Sequence, residues 1–127
     1  MSISNYWELE VLDHIFNNSD AASVAAPWIS LHTGDPGETG ANEVTGGSYA
    51  RVSGSFGAAS AGAVASTADA DFTGMPAVTV THVGIWSSST ATASSAFIWC
   101  GALTASKSVG AGSTFRVASG SLTVSLD

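Results

Sequence analysis

Basic residues are nearly missing from this chain: its 127 residues contain Arg51, Lys107 and Arg116 against ten Asp and Glu, for a net charge of −7. So few cations cannot neutralise a run of phosphates, so nucleic acid is not an expected partner. The single cysteine, Cys100, excludes an internal disulfide, and its place in the run Phe97-Ile98-Trp99-Cys100 marks it as a small buried hydrophobe. No apolar run approaches the ~20 residues of a membrane helix. Met1-Ser2-Ile3-Ser4-Asn5 lacks the basic start of a secretory signal. The expectation is a soluble protein, made in a cytoplasm, with no membrane partner. Heptads and repeats of 20 to 50 residues are absent as well, which argues against a coiled-coil shaft, a solenoid or a propeller.

The acidic residues present are unevenly placed. Glu8, Glu10, Asp13, Asp20, Asp35, Glu38 and Glu43 all precede Arg51, whereas Asp69, Asp71 and Asp127 balance the three cations, so the excess negative charge lies in the first third. With only 10% of residues charged, the surface must be built from Ser, Thr, Gly and Ala and is suited to cover by neighbouring subunits. The length fits one domain with a core of its own.

Periodicity divides that domain into a leading helix and a β body. From Ser4 to about Asn17, Leu9, Leu12 and Phe16 fall at i, i+3 and i+7 with Val11 and Ile15 beside them, and Ser4 can cap the first turn. The pattern predicts an amphipathic helix lying on the open end of the domain's core or on a neighbouring subunit. A second short turn is expected at Asp20 to Ala26. Strands are expected at Trp28 to His32, with Ile29 and Leu31 on one face and Trp28, Ser30 and His32 on the other, and at Tyr49 to Val52, near Ala68 to Phe72, at Val78 to Trp86, at Ala96 to Leu103, at Thr114 to Val117 and at Leu122 to Leu126. The expected Ala96 to Leu103 strand is apolar on both faces and reads as central, and Gly84 marks a bulge or a close backbone approach. The fold class is mainly β, an antiparallel β-sandwich or jelly-roll-like domain with one N-terminal α-helix. Residues 1–20 form the helix and cap, and 21–127 a single β domain with a long loop at 33–47.

Few residues suggest chemistry. His32 with Ser30 and Asp35 could be imagined as a hydrolytic set, but no Gly-x-Ser-x-Gly elbow is present and no enzyme is expected. Asp35 and Glu38 are the candidate calcium ligands; Asp69-Ala70-Asp71 only partly echoes a calcium loop, and Asp35 before Pro36-Gly37 is explained by turn formation. No cofactor is expected. Among the tryptophans, Trp86 and Trp99 read as core, while Trp7 and Trp28 remain open as interface anchors or as part of a glycan platform. The interface candidates are Trp7, Val11, Ile15, Trp28, Asp35, Glu38, Glu43 and Arg51, with Arg51 placed to pair back onto an acid of the 33–47 loop.

Leu31-His32-Thr33-Gly34-Asp35-Pro36-Gly37-Glu38-Thr39-Gly40 and Glu43-Val44-Thr45-Gly46-Gly47-Ser48-Tyr49-Ala50-Arg51 resemble a family of short tailed-bacteriophage virion proteins, often labelled tail-fibre-like. The likeness continues at Thr81 to Trp86, Gly101 to Lys107 and Leu122 to Asp127. It implies a non-catalytic virion structural protein assembled in the host cytoplasm. Lacking a fibre shaft, the chain is expected first as a capsid decoration (cement) protein, partnered by itself as a trimer and by the major capsid protein. The alternatives are a tail-fibre or tail-tip adhesin meeting a host glycan, and a neck or tail subunit held by other tail proteins.

Overall fold

A computed structural model describes residues 2–21 and 23–126. Along the chain lie β1 (Ser2–Ile3), α1 (Asn5–Phe16), β2 (Trp28–His32), β3 (Val52–Ser53), β4 (Ala63–Ala65), β5 (Ala70–Phe72), β6 (Val78–Trp86), a 3₁₀ turn at Ser94–Ala96, β7 (Phe97–Val109), β8 (Phe115–Val117) and β9 (Thr123–Ser125). All strand pairing is antiparallel. One five-stranded sheet runs in the order β1-β7-β6-β2-β3, and two ladders, β4-β9 and β5-β8, complete the β structure.

The mainly β, antiparallel architecture with one leading helix is the one expected. Ile29 and Leu31 from β2, Val83 and Ile85 from β6 and Trp99 from β7 share one cluster with Phe72, Phe115, Val117 and Leu122 from the ladder side. The ladders thus provide the opposite wall of the core, and the alternation of β2 directs its apolar residues to it.

The other face of the large sheet is also covered. Trp86, Ala96 and Phe97 form a second cluster there, and Ser30 and His32 are wholly buried on the same side. β2 is therefore buried on both faces, where period-two alternation alone suggests one wet face. The cover is the 33–47 loop. β7 is thirteen residues long and lies next to the edge, since only two-residue β1 flanks it; it is not central as expected. Its pairing with β6 is irregular between Val80 and His82 and again between Ile85 and Trp86. Gly84 sits at neither irregularity: a Cβ there would come within 2.7 Å of both His32 Nε2 and Ser30 Oγ, so close side chains, rather than a bulge or another backbone, are the reason for glycine.

Three further details bear on the expected elements. Among the described residues between Asn17 and Pro27 no second helix forms, and Ala22 lies outside them. The small-residue stretch from Ser53 to Ala70, whose composition suggests an irregular or edge segment, holds the short edge strand β4, paired with β9. Leu122 is buried and Val124 half-buried, but Leu126 faces solvent, since β9 ends at Ser125.

Candidate functional site

The 33–47 loop is a compact excursion closed at its neck, where Thr33 N–H donates to Asn42 O and Val44 N–H to Leu31 O, both at 2.9 Å. Inside it, Asp35 Oδ1 accepts from Gly37 N–H at 2.9 Å, the side-chain turn expected of Asp before Pro-Gly, and Gly37 takes a φ of +58°. Asn42 Nδ2 donates to Asp35 O and Ala41 N–H to Pro36 O, so the loop carries its own hydrogen bonds. Gly40, at φ +74°, lies directly on the ring of Trp86, where any Cβ would overlap it.

Behind the neck lies a knot of charged and aromatic groups. Arg51 donates through Nε and a terminal nitrogen to the two carboxylate oxygens of Glu43, at 2.9 and 2.7 Å. Its other terminal nitrogen donates to the carbonyls of Ser88 and Ala91, and its guanidinium lies 3.7 Å from the Trp86 ring centroid. With only 5% of its side chain exposed and four hydrogen bonds made, Arg51 is held within the fold. Tyr49 closes the arrangement. Its hydroxyl accepts from Leu31 N–H, a strand donor left open where the chain bends away from β2, and donates to Glu43, each at 3.0 Å. Burial raises the Tyr49 pKa well above the usual tyrosine value, so the hydroxyl stays protonated and able to donate.

A second chain of hydrogen bonds, running from Ala41 at the surface to the buried His32, Ser30 and Trp86, ties the loop to the sheet. The Ala41 carbonyl can only accept, so His32 Nδ1, 2.7 Å away, carries the proton. Nε2 then accepts from Ser30 Oγ at 2.7 Å, and Ser30 Oγ accepts from Trp86 Nε1–H at 2.9 Å. Each proton has one place, which requires neutral imidazole; burial, the largest influence, holds the His32 pKa below its ordinary value. Ser30 and His32 are thus in hydroxyl–imidazole contact, but both are wholly buried and the imidazole is oriented by a backbone carbonyl. Asp35 spends a carboxylate oxygen on Gly37.

The helix joins at its first turn. Ser4 precedes α1 as expected of a cap, yet its hydroxyl donates to Phe97 O at 2.6 Å and its N–H to Ile98 O. The capping role passes to Glu38, whose Oε2 accepts from Asn5 N–H at 2.7 Å and places a negative charge at the positive end of the helix dipole. Trp7 is buried at 8% exposure, but Leu9, Leu12 and Phe16 are 62, 50 and 76% exposed. The apolar stripe therefore points away from the domain's own core, and the helix does not close it.

The interface candidates separate accordingly. Ile15 is exposed on the helix, Asp35 and Glu38 are exposed on the loop, and Val11 and Trp28 are half-buried. Trp7, Glu43 and Arg51 are engaged inside the chain. Asp35 and Glu38 each accept from a backbone N–H, that of Gly37 and of Asn5, and among the described residues no three His, Cys, Asp or Glu side chains group as metal ligands would. Trp86 and Trp99 are core, as their apolar surroundings suggest. Sequence spacing brings Ser30 and His32 together but gives no sign that Trp86 joins them, because that contact depends on the β2–β6 register.

A family model described as "Podophage GP4 fiber I protein gp80" matches residues 2–125. The chain belongs to that family. No curated protein matches it. Membership in the podophage fibre I family makes the chain a bacteriophage structural protein of the fibre type and a component of the virion, in line with the resemblance carried by the 31–51 blocks. The match takes in α1, the 33–47 loop and all nine strands.

Proposed function

We propose that the chain is a non-catalytic structural subunit of the podophage tail-fibre apparatus. The carrying observation is the fibre-family match over residues 2–125. The buried chemistry supports a scaffold role: Ser30 and His32 have no exposed surface for a substrate to reach, and their protons are committed to holding the 33–47 loop on the sheet. Trp7, Trp86 and Trp99 are buried as well, which leaves no open tryptophan platform among them for a glycan and favours a place in the body of the fibre over its receptor-binding tip.

Antibody against the chain, gold-labelled on intact virions, tests the placement together with a mass-spectrometric copy count. Label on tails and few copies per virion are expected. Label over the head, at a copy number matching the major capsid protein, would replace this reading with capsid decoration.

A further inference from the structure

We propose that copies of this chain associate head to tail, the exposed apolar stripe of α1 on one copy seating in an apolar cavity of the next. The stripe is Leu9, Leu12 and Phe16, a knob of three large side chains that its own domain leaves uncovered. The cavity, about 370 Å³ and open on one side, lies between β7 and the β8–β9 segment and is walled by Val83, Trp99, Leu103, Phe115, Val117 and Leu122. Its volume lies within the ~300–1,000 Å³ of pockets that bury a sizeable apolar group. Knob and hole thus lie on different parts of one molecule.

Charge selects this occupant over a second helix. Glu8 and Asp13 flank the stripe and α1 carries no Lys or Arg, so a symmetric helix-to-helix contact would set like charges together. Among the described residues the two exposed cations are Arg116, in the cavity wall, and Lys107, whose Nζ lies 5.1 Å from the centroid of the Phe115 ring in that wall. Arg116 is also paired with Asp71 and Asp69 across its own β5–β8 ladder, which leaves Lys107, over the Phe115 ring, as the exposed cation beside the cavity without an acid partner among the described residues. An acidic knob meeting a rim with an available cation is attractive only in the heterologous pairing. A contact of that kind makes a ring if the rotation closes and a filament if it does not. The contact is independent of where in the virion the chain resides and is tested on the purified protein.

Sedimentation of the wild-type chain across a hundredfold concentration range is expected to show assembly beyond the 12.7 kDa monomer. Leu9→Glu/Phe16→Glu blocks the knob, and Thr104→Glu, at an exposed residue of the cavity wall, blocks the hole. Each variant alone should remain monomeric, with far-ultraviolet circular dichroism unchanged. Mixed in equal amounts they should form a two-chain species and nothing larger, because only one intact knob and one intact hole remain. A monomeric wild type, an assembling knob variant, or a mixture in which the two variants ignore each other would overturn the proposal. If Leu9→Glu/Phe16→Glu loses helix signal, Leu9→Ser/Phe16→Ser takes its place with the same expected outcomes.

Discussion

Replacing Arg51 with Ala should cost about 3 kcal/mol of folding stability. Breaking a buried ion pair by removing one partner typically costs ~3–5 kcal/mol, because the remaining charge stays desolvated. Here Arg51 is 5% exposed and Glu43 21%, so water recovers some of the loss at Glu43, which also keeps the Tyr49 hydroxyl. The carbonyls of Ser88 and Ala91 lose their shared donor, and the Trp86 face loses its cation. Tryptophan-monitored urea unfolding measures the change directly, and a fall in Tm of about 10 °C should accompany it. The double variant Arg51→Met/Glu43→Gln removes both charges at similar volume and should lose only about 1 kcal/mol, less than Arg51→Ala alone. Hydrogen exchange in Arg51→Ala should quicken around both residues 42–49 and 88–92, since the guanidinium binds the two segments together. A loss below about 1 kcal/mol, or unchanged exchange in both segments, would show that the knot does not hold the loop, contrary to the predicted cost.

Two further outcomes follow from the same loop. Gly40→Ala places a methyl group against Trp86 at positive φ, whereas Gly37→Ala, also at positive φ, meets nothing within 4 Å; the first should cost about 3 kcal/mol and the second about 1 in urea unfolding, and equal costs would refute the Gly40–Trp86 contact. Because burial lowers the His32 pKa in the folded state, the unfolded chain binds the extra proton first. The stabilisation is complete above about pH 6.5 and is lost as pH falls below it, by up to about 1.4 kcal/mol per pH unit until the folded pKa is reached. Urea midpoints at pH 7.5, 6 and 5 should therefore fall more steeply for wild type than for His32→Asn, and parallel slopes would exclude His32 as the cause.

Much of the fold was legible from patterns that depend on neighbours in sequence. The period-two order of Trp28 to His32, the apolar run at Val78 to Trp86, and Asp35 with Pro36-Gly37 each state a local geometry, and each is realised. The pairing of Arg51 with an acid of the loop was likewise readable, because a single cation followed seven acids. Contacts that join distant segments were not. Ser30, His32 and Trp86 read separately as a polar strand face and a core residue; that they share protons depends on the β2–β6 register, which sets Ser30 opposite Gly84. Glu38 as the cap of α1 similarly requires residues thirty-three positions apart to meet, while the nearer Ser4 satisfies the local pattern and spends its hydroxyl elsewhere.

The helix shows most clearly what periodicity can and cannot decide. Leu9, Leu12 and Phe16 at i, i+3 and i+7 state that one face of α1 is apolar, and burial of such a face is worth ~1.5–3 kcal/mol for each large side chain. Amphipathicity names the face without naming what covers it. Within this chain the first turn is fixed by Ser4, Glu38 and Trp7, and that anchoring turns the stripe outward rather than onto the core. Free rotation of the helix would let it bury the stripe against its own domain; the three anchors prevent this. An exposed stripe held in place by buried contacts differs from a frayed terminus, whose apolar residues are exposed only because nothing orders them. Its orientation is part of the fold, which is the property required of a surface that meets another copy.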